Sequence, residues 1–281
     1  MLAELLSANG IHPTFVSAEI GALPVDGRPE PFHSLLRDFP GSRNLCFEVD
    51  EKLCARLNQK ATSGMEFHPF ALGGRSERRP FYSTTHPMCA SLLEPDERWA
   101  DLYYNLDVMR KTGSSSMDVT TLEEFVAARR IGAIDFIKAD TQGAELEILQ
   151  GAGAALDSVL CIVCEVEFVP LYKNQPLFSD IDTWLRSRGF LLHKLLGMAG
   201  RAMKPIQLNN DINYPAQHMW SDAMFVRDLR VPNRLSVEQL LKLAIYMSLY
   251  SSVDVSHYLL AQYDERCGSH LASDLIRKLS A

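Results

Sequence analysis

The sequence predicts an α/β fold, in which a mostly parallel sheet of seven strands is followed by a C-terminal helical appendage. Short segments rich in branched and aromatic residues alternate with helix-forming segments up to about residue 232. This is the pattern of a parallel sheet joined by crossover helices. Only helical patterns follow from residue 235 onward. We therefore expect a sheet domain over residues 1–232 and the appendage over residues 233–281.

Composition and charge narrow the class of protein. The 281 residues are 47% hydrophobic and 22% charged, as in ordinary globular proteins. A net charge of −7 argues against nucleic acid as a partner, because phosphate binding needs clustered Lys and Arg. No apolar run approaches the roughly 20 residues of a membrane-spanning helix, and the N-terminus lacks the basic region of a signal peptide. The six cysteines form no disulfide framework, so we expect a cytoplasmic protein without a membrane partner.

The first three predicted strands cover residues 14–20, 44–50 and 65–74. The carboxyl ends of parallel strands meet at one edge of the sheet, where ligands of α/β folds bind. Gly21 follows the first strand and would let a ligand approach the backbone closely. Glu48, near the end of the second strand, has a carboxylate able to accept two hydrogen bonds from a diol. The alternative for Glu48 is an ordinary exposed charge at a strand end.

The segment between the third strand and residue 120 has no clear periodicity. Residues 79–84 are predicted to add an edge strand, and residues 93–115 to form a partly mobile flap. Residues 116–119 are predicted to form a short strand before a capped helix that continues to Arg130.

The central stretch of the chain, residues 134–152, predicts a buried strand, a turn and a helix. Asp140 ends the strand and therefore lies where the ligands of such sheets bind. Glu145 falls in the first turn of the helix, where a carboxylate also complements the helix dipole, so it has a purely structural interpretation as well. Gly151 is predicted to end the helix.

The run D-F-I-K-A-D-T-Q-G-A-E-L-E-I-L-Q-G-A over residues 135–152 resembles the signature of the FkbM-type methyltransferase family, loosely D-[FL]-[IL]-K-x-D-x-[EQ]-G-x-E-x-x-x-L-x-G-[AG]. The resemblance implies a Rossmann-like class I methyltransferase fold. It also implies transfer of a methyl group from S-adenosylmethionine, usually to a hydroxyl. The expected acceptor is a small molecule or a sugar.

The resemblance also implies which residues contact the cofactor. The segment E-I-G-A over residues 19–22 resembles the first cofactor loop, although Leu23-Pro24 stand where Asn and Gly are usual. The acid after the second strand is expected at the ribose, the end of the third strand at the adenine, and the Ser91-Leu92 pair beside the cofactor. The predicted cofactor-binding residues are Glu19, Gly21, Ala22, Glu48, Val49, Ala71, Leu72, Ser91, Asp140 and Gln142.

Methyl transfer to an alcohol needs an aligned acceptor and a group that removes its proton. The candidates at strand ends are Asp140, Glu145, Glu165 and His218. Competing interpretations remain open: Asp140 hydrogen-bonds only the cofactor or the turn, Glu165 pairs with Lys138, and His218 is a packed strand residue.

No metal site is expected from the sequence. Two carboxylates without a third oxygen ligand make a weak magnesium site. Cys161 and Cys164 form a C-x-x-C pair inside a predicted strand, where positions i and i+3 point to opposite faces. We therefore predict that both cysteines belong to the core.

The helical appendage permits a second interpretation of function. Its apolar positions, including Leu241, Ile245 and Leu249, must pack against something. The predictions for this surface are a homo-oligomer interface or a buttress on the lid side of the site. A non-catalytic, partner-binding protein with a methyltransferase fold is the alternative to an enzyme.

Overall fold

The computed structural model describes residues 2–23, 29–214 and 217–280. These residues form eleven strands: β1 (Val16–Ile20), β2 (Arg43–Phe47), β3 (Met65–His68), β4 (Ala71–Leu72), β5 (Glu77–Thr84), β6 (Lys111–Thr120), β7 (Phe136–Ala139), β8 (Cys161–Glu167), β9 (Phe190–Leu195), β10 (Ala199–Arg201) and β11 (Gln217–Arg227). They also form ten α-helices: α1 (Leu2–Ala8), α2 (Ser34–Asp38), α3 (Glu51–Asn58), α4 (Arg98–Leu102), α5 (Leu122–Arg129), α6 (Glu145–Gly151), α7 (Phe178–Ser187), α8 (Val237–Leu249), α9 (Val253–Cys267) and α10 (Leu271–Leu279).

The main sheet has the strand order β3-β2-β1-β7-β8-β11, and β9 and β10 both pair with β11. The five neighbouring strands β3, β2, β1, β7 and β8 are parallel to one another. In contrast, β11 is antiparallel to β8, β9 and β10. Because β9 and β10 pair with successive parts of β11, they act as one interrupted edge strand. The sheet therefore has seven strand positions in the order typical of class I methyltransferases, and the predicted fold class is confirmed.

A second, three-stranded sheet was not predicted. Its order is β4-β6-β5, with β5 and β6 antiparallel. The segment 79–84, predicted as an edge strand of the main sheet, belongs to this sheet, and the predicted short strand at 116–119 is the end of the ten-residue β6. Most of β6 is exposed on both faces. An apolar alternation, which is the sequence signal of a strand, was therefore absent.

The predicted flap at residues 93–115 is instead a packed segment. It contains α4 and the first half of β6. Ala100, Tyr103, Leu106 and Met109 are buried in a cluster with residues that follow β8. Aromatic residues that suggested a surface flap are thus the anchors that attach this segment to the sheet.

The main sheet is covered by helices on both faces. On one face, sheet residues such as Ile137 and Ile162 pack against α5, α6 and α7. On the other face, Phe136, Val163 and Met224 pack against α1, α2 and the three C-terminal helices. Cys161 lies in the second core and Cys164 in the first, so the two thiols point to opposite faces, as predicted.

The C-terminal helices form part of a layer of this sandwich. The predicted N-terminal cap of α8 is present, with Ser236 and Gln239 bonded reciprocally. Lys242 of α8 forms a buried ion pair with Asp135, with Nζ–Oδ distances of 3.1 and 3.2 Å. Leu241 and Ile245, from which an intersubunit surface was predicted, are buried by this chain's own sheet. The oligomeric state and the boundary at residue 232 remain predictions.

None of the helices among the described residues is both long and apolar enough to cross a membrane.

Candidate functional site

A cleft of about 1530 Å³ opens at the carboxyl ends of β1, β2, β3 and β7. Its lining includes all ten residues predicted to contact a cofactor: Glu19, Gly21, Ala22, Glu48, Val49, Ala71, Leu72, Ser91, Asp140 and Gln142. Of the four predicted catalytic residues, Asp140 and Glu165 line the cleft. Glu145 lies behind the cleft wall, and His218 lies on an exposed part of β11 opposite Gly200.

Gly21 brings the ends of two strands together. Its φ is +81°, and a Cβ at this position would lie 1.8 Å from the carbonyl oxygen of Asp140. The backbone N–H groups of Gly21 and Ala22 donate to the carbonyl of Phe47. The sequence suggested that this glycine admits a ligand to the backbone, but it also lets β1 and β7 converge. Residues 24–28 of the following loop, including Pro24, lie outside the described residues.

The part of the cleft next to β2 and β4 combines one carboxylate with an apolar wall. Oε1 of Glu48 accepts a hydrogen bond from the N–H of Asp50 at 3.1 Å, whereas no described residue donates to Oε2. Val49, Ala71 and Leu72 line the same region with Phe70 and Ile148. A carboxylate beside an apolar slot suits a ribose diol and a flat purine ring.

Two carboxylates meet at the ends of β7 and β8. The amide nitrogen of Gln142 donates to Asp140 Oδ1 at 3.0 Å and to Glu165 Oε2 at 2.7 Å. Gln142 has a left-handed backbone with φ of +61°, which directs its side chain back over the strand ends. The pairing of Glu165 with Lys138, one of the competing interpretations, does not occur. Gln142 instead holds both acids side by side.

The Gln142 bridge is itself held in place. The Tyr172 hydroxyl lies 3.1 Å from Gln142 Oε1 and 2.9 Å from the carbonyl oxygen of Cys89. The Ser91 hydroxyl donates to the Gln142 carbonyl at 2.7 Å and accepts from the N–H of Leu93 at 2.9 Å. Ser91 thus uses its hydroxyl to support the turn that carries Gln142.

The two bridged carboxylates differ in their surroundings. Burial, followed by repulsion from Asp140, Glu167 and Glu145, raises the pKa of Glu165 well above its usual value. Asp140 lies 3.3 Å from the ammonium of Lys138 in addition to its contact with Gln142. The raised pKa gives Glu165 the proton affinity that a proton acceptor at neutral pH requires.

Lys138 is the cation at the centre of this part of the cleft. Its Nζ lies 3.3 Å from Asp140 and 3.5 Å from Glu30. Burial lowers the pKa of Lys138, but Asp140, Glu30 and Asp222 together outweigh burial and raise it. Lys138 therefore stays charged, and it connects the loop before α2 to the end of β7.

Glu19 is fixed from three sides. Its Oε2 lies 2.7 Å from His33 Nε2 and accepts from Asn44 Nδ2 at 2.7 Å, with Cys46 Sγ at 3.6 Å. Burial raises the pKa of Glu19, but His33 and Asn44 oppose it, and the pKa lies below its usual value. The carboxylate predicted for the first cofactor loop is therefore charged and already hydrogen-bonded within the protein.

A family model described as "Methyltransferase FkbM domain" matches residues 19–192. The chain belongs to the FkbM methyltransferase family. The matched region runs from Glu19 to β9 and contains Gly21, Asp140, Gln142 and Glu165. The resemblance inferred from residues 135–152 is thus confirmed.

Individual relatives of this FkbM methyltransferase are distant. It is 24% identical over 153 residues to the 2-O-methyltransferase NoeI of Sinorhizobium fredii (strain NBRC 101917 / NGR234). The match covers 51% of this chain and 61% of NoeI, so the chain matches less than two thirds of that relative's length.

Similar solved structures include methyltransferases. A putative methyltransferase from Thermoplasma acidophilum is 10% identical with a TM-score of 0.37, covering 78% of this chain and 70% of that one. The 23S rRNA methyltransferase ErmE is 11% identical with a TM-score of 0.34, and the match covers 88% of this chain and 76% of ErmE. An uncharacterized protein from Listeria monocytogenes serotype 4b is 10% identical with a TM-score of 0.36, and the match covers 92% of this chain and 97% of that protein.

Several residues of the methyltransferase cleft were missed by sequence reasoning. His33 and Tyr172 contact predicted site residues, and Glu30 contacts Lys138, but all three come from segments without a recognised motif. Lys138 is part of the family signature and could have been found there. The others could only be found from contacts between segments far apart in sequence.

Glu145 organises the turn between β7 and α6. Its Oε1 accepts from the N–H of Thr141 at 2.6 Å and from the Thr141 hydroxyl at 3.0 Å. Its Oε2 accepts from the N–H of Gly143 at 2.9 Å. Glu145 is 1% exposed, and burial raises its pKa to about 7. These contacts favour the structural interpretation of this signature residue.

We expect the stability contribution of Glu145 to depend on pH. Because its pKa rises on folding, its proton stabilises the fold at acidic pH, and this stabilisation is lost as the pH rises from about 4.5 through about 7. The loss is at most about 3 kcal/mol. Melting temperatures of the parent and of Glu145→Gln are measured at pH 5 and pH 8. The melting temperature of the variant should change less between these two pH values than that of the parent. Equal differences would contradict the assignment.

Gly151 ends α6 and also lets α6 approach β4. A Cβ at Gly151 would lie 2.1 Å from the carbonyl oxygen of Gly73. From the sequence, this glycine was predicted only to end the helix. The tertiary structure adds a packing reason, because α6 must lie directly on the turn that follows Leu72.

Within the described residues, no group of three or more His, Cys, Asp or Glu side chains is arranged to hold a metal ion.

Proposed function

We propose that this chain transfers a methyl group from S-adenosylmethionine to a hydroxyl group of a small polar molecule or sugar. The observation that carries the proposal is the pair Asp140 and Glu165, held together by Gln142 in the cleft of an FkbM-family fold. The pair lies at the ends of adjacent parallel strands, the position at which α/β enzymes place reacting groups.

The cleft suits the methyl donor at several points. Glu48 has an oxygen without a partner among the described residues and would hold the ribose diol. Phe70, Ala71, Leu72 and Ile148 would enclose the adenine. The donor supplies a methyl group on a positively charged sulfur. The carboxylates Glu19 and Asp140 give this region the negative charge that suits such a ligand.

The two carboxylates would divide the work at the acceptor. Asp140, fixed by Lys138 and Gln142, would accept a hydrogen bond from the acceptor and orient its hydroxyl. Glu165, whose proton affinity is raised, would take the proton of that hydroxyl. His218 does not line the cleft, and its exposed side chain has no part in this scheme.

Oxygen is the acceptor atom that the surroundings favour. Carboxylates accept hydrogen bonds from hydroxyls and an amide can both accept and donate them, so a sugar would satisfy several of these groups at once. The distant relative NoeI is a 2-O-methyltransferase, which supports an oxygen acceptor. The cleft is also larger than the roughly 300–1,000 Å³ of an ordinary ligand site, which suits two ligands bound together.

The alternative of a non-catalytic partner-binding protein has less support. It relied on an exposed apolar face on the C-terminal helices, but Leu241, Ile245, Leu259 and Leu260 are buried within the chain. Thermal stabilisation by S-adenosylhomocysteine separates the two functions, since a cofactor-binding enzyme gains stability with ligand and a scaffold does not.

Glu48 provides a direct test of cofactor binding. We expect Glu48→Ala to weaken binding of S-adenosylhomocysteine by about 1–3 kcal/mol, because hydrogen bonds to a charged acceptor are lost. Isothermal titration calorimetry of parent and variant measures the difference, and circular dichroism checks the fold. Equal affinities would remove Glu48 from the site. Failure of the parent to bind the ligand, or to methylate any member of a panel of hydroxylated acceptors, would contradict the proposed function.

A further inference from the structure

Two half-buried arginines, Arg201 and Arg227, are placed on aromatic rings in this fold. The guanidinium carbon of Arg227 lies 4.1 Å from the centre of the Phe190 ring, and that of Arg201 lies 4.6 Å from the centre of the Trp220 ring. Burial lowers the pKa of both side chains. Each is therefore a charge that the protein has partly withdrawn from water, which is unfavourable unless its donors find acceptors.

Arg227 has an acceptor for four of its five N–H donors. Its guanidinium donates to the carbonyl oxygens of four residues at 2.6–3.1 Å: Leu156, Asp157, Val159 and Arg188. These bonds attach β11 to the segment before β8 and to the end of α7. Four of the five N–H donors of Arg227 are thus used within the protein, and Arg227 is a structural residue.

Arg201 contrasts with Arg227. Its only hydrogen bond within the described residues runs from a terminal nitrogen to the carbonyl oxygen of Gly200 at 2.8 Å. Its Nε is buried without a partner, and no described carboxylate lies within ion-pair distance of it. An arginine of this kind presents several unused donors in the planar arrangement that fits a carboxylate or a phosphate.

Arg201 is not among the residues that line the cleft, but it lies at the same edge of the sheet. On β10, Ala199 lies opposite Trp220, and Trp220 lies opposite Glu167 on β8. Since β10 runs in the same direction as β8, Arg201 lies beyond the carboxyl end of β8, past Glu165. This is the edge of the sheet at which the cleft opens.

The segment 87–91 is near both Arg201 and the two carboxylates. Most of its residues line the cleft, and the carbonyl oxygen of Cys89 contacts the same Tyr172 hydroxyl that contacts Gln142. Burial raises the pKa of the Cys89 thiol, Arg201 lowers it and Asp140 raises it. Cys89 is therefore within electrostatic reach of both Arg201 and Asp140.

We propose that Arg201 binds a carboxylate or phosphate group carried by the methyl acceptor, whose hydroxyl then faces Asp140 and Glu165. The inference rests on the proposed function and narrows its substrate class to acidic acceptors, such as a uronic acid or a sugar phosphate. Arg201 acts here as a specificity-determining residue. The carboxylates repel the anionic group and the guanidinium attracts it, so the two ends of the acceptor are distinguished.

The first test is anion binding without any methyl transfer. Inorganic phosphate and acetate are titrated into the protein saturated with S-adenosylhomocysteine, at constant ionic strength set with chloride, and followed by calorimetry. We expect millimolar binding of at least one anion, weakened about 10–100-fold in Arg201→Gln because a charge-assisted hydrogen-bond pair is lost. Arg201→Lys should restore part of the affinity. Arg188→Gln removes an exposed arginine that also lies over a tryptophan, and it should bind like the parent.

Absence of binding of both anions to the parent, or equal binding to parent and Arg201→Gln, would overturn the proposal. The second test compares glucose, glucuronate and glucose 6-phosphate under the same conditions. Stronger binding of glucuronate identifies the carboxylate as the group recognised, and stronger binding of glucose 6-phosphate identifies the phosphate. Glucose binding as tightly as both acids would also overturn it. Binding of S-adenosylhomocysteine is measured separately, so loss of the proposed function and loss of anion recognition are distinguishable results.

Discussion

Replacement of Glu165 by glutamine is expected to lower kcat by about 10²–10⁴-fold, the usual contribution of a positioned proton acceptor. The glutamine keeps the size of the side chain and can still accept the hydrogen bond that Gln142 donates at 2.7 Å. It cannot take a proton from the acceptor hydroxyl. Because Glu165 does not face the adenine and ribose regions of the cleft, affinity for S-adenosylhomocysteine should change little. Steady-state kinetics and calorimetry on the same preparation measure both quantities.

The pH profile adds a readout that a structural role would not affect. Burial and the neighbouring carboxylates Asp140 and Glu167 raise the pKa of Glu165, so the parent's rate should increase with pH as this group loses its proton. This increase of the rate with pH should be absent in Glu165→Gln. Glu265→Gln, which changes an exposed carboxylate on α9, should match the parent throughout. A near-parental kcat in Glu165→Gln would exclude Glu165 as the proton acceptor.

Asp140→Asn separates orientation from proton transfer. If Asp140 only orients the acceptor beside Lys138, the variant should raise KM for the acceptor and retain the pH dependence that comes from Glu165. If Asp140 is instead the base, the kcat of Asp140→Asn should fall as far as that of Glu165→Gln. The roles assigned to the two carboxylates would then be reversed.

Deletion of residues 235–280 is expected to abolish folding. The deleted helices cover Phe136, Val163 and Met224 on one face of the central strands, and all three are almost completely buried. Each large apolar side chain gains about 1.5–3 kcal/mol from burial, and the net stability of a domain is only about 5–15 kcal/mol. The shortened chain should therefore aggregate. Expression tests and sedimentation velocity measure this outcome, and a soluble product with native circular dichroism would contradict it.

A point substitution tests the contact between α8 and the sheet without removing the C-terminal helices. Lys242→Met leaves the buried carboxylate of Asp135 without its ammonium partner and should destabilise the protein by about 3–5 kcal/mol. Glu238→Gln is the matched control, because it removes only the exposed partner of Lys242 and should cost less than about 1 kcal/mol. Chemical denaturation gives both values, and equal effects would show that the Asp135–Lys242 pair contributes nothing beyond a surface ion pair.

The sequence determined the fold class, the family and the edge of the sheet that carries the site. Strands such as β1 and β7 are detectable because they are buried on both faces and read as short apolar runs. The residues predicted at their ends, including Gly21, Asp140 and Gln142, line one cleft because parallel strands place their carboxyl ends together. The family signature added Glu145, and it also contains Lys138, which was not predicted as a site residue.

Tertiary structure alone decided what each of these residues contacts. Gly21 lies against the carbonyl of Asp140, Glu145 holds the turn of Thr141, and Gln142 bridges two acids on different strands. The second sheet was missed because β6 is exposed on both faces and has no apolar alternation. The difference between Arg201 and Arg227 is also invisible in the sequence, because both side chains lie on aromatic rings and only the number of acceptor atoms around each guanidinium separates them. Such contacts join segments far apart in the chain, and local propensity and periodicity carry no information about them.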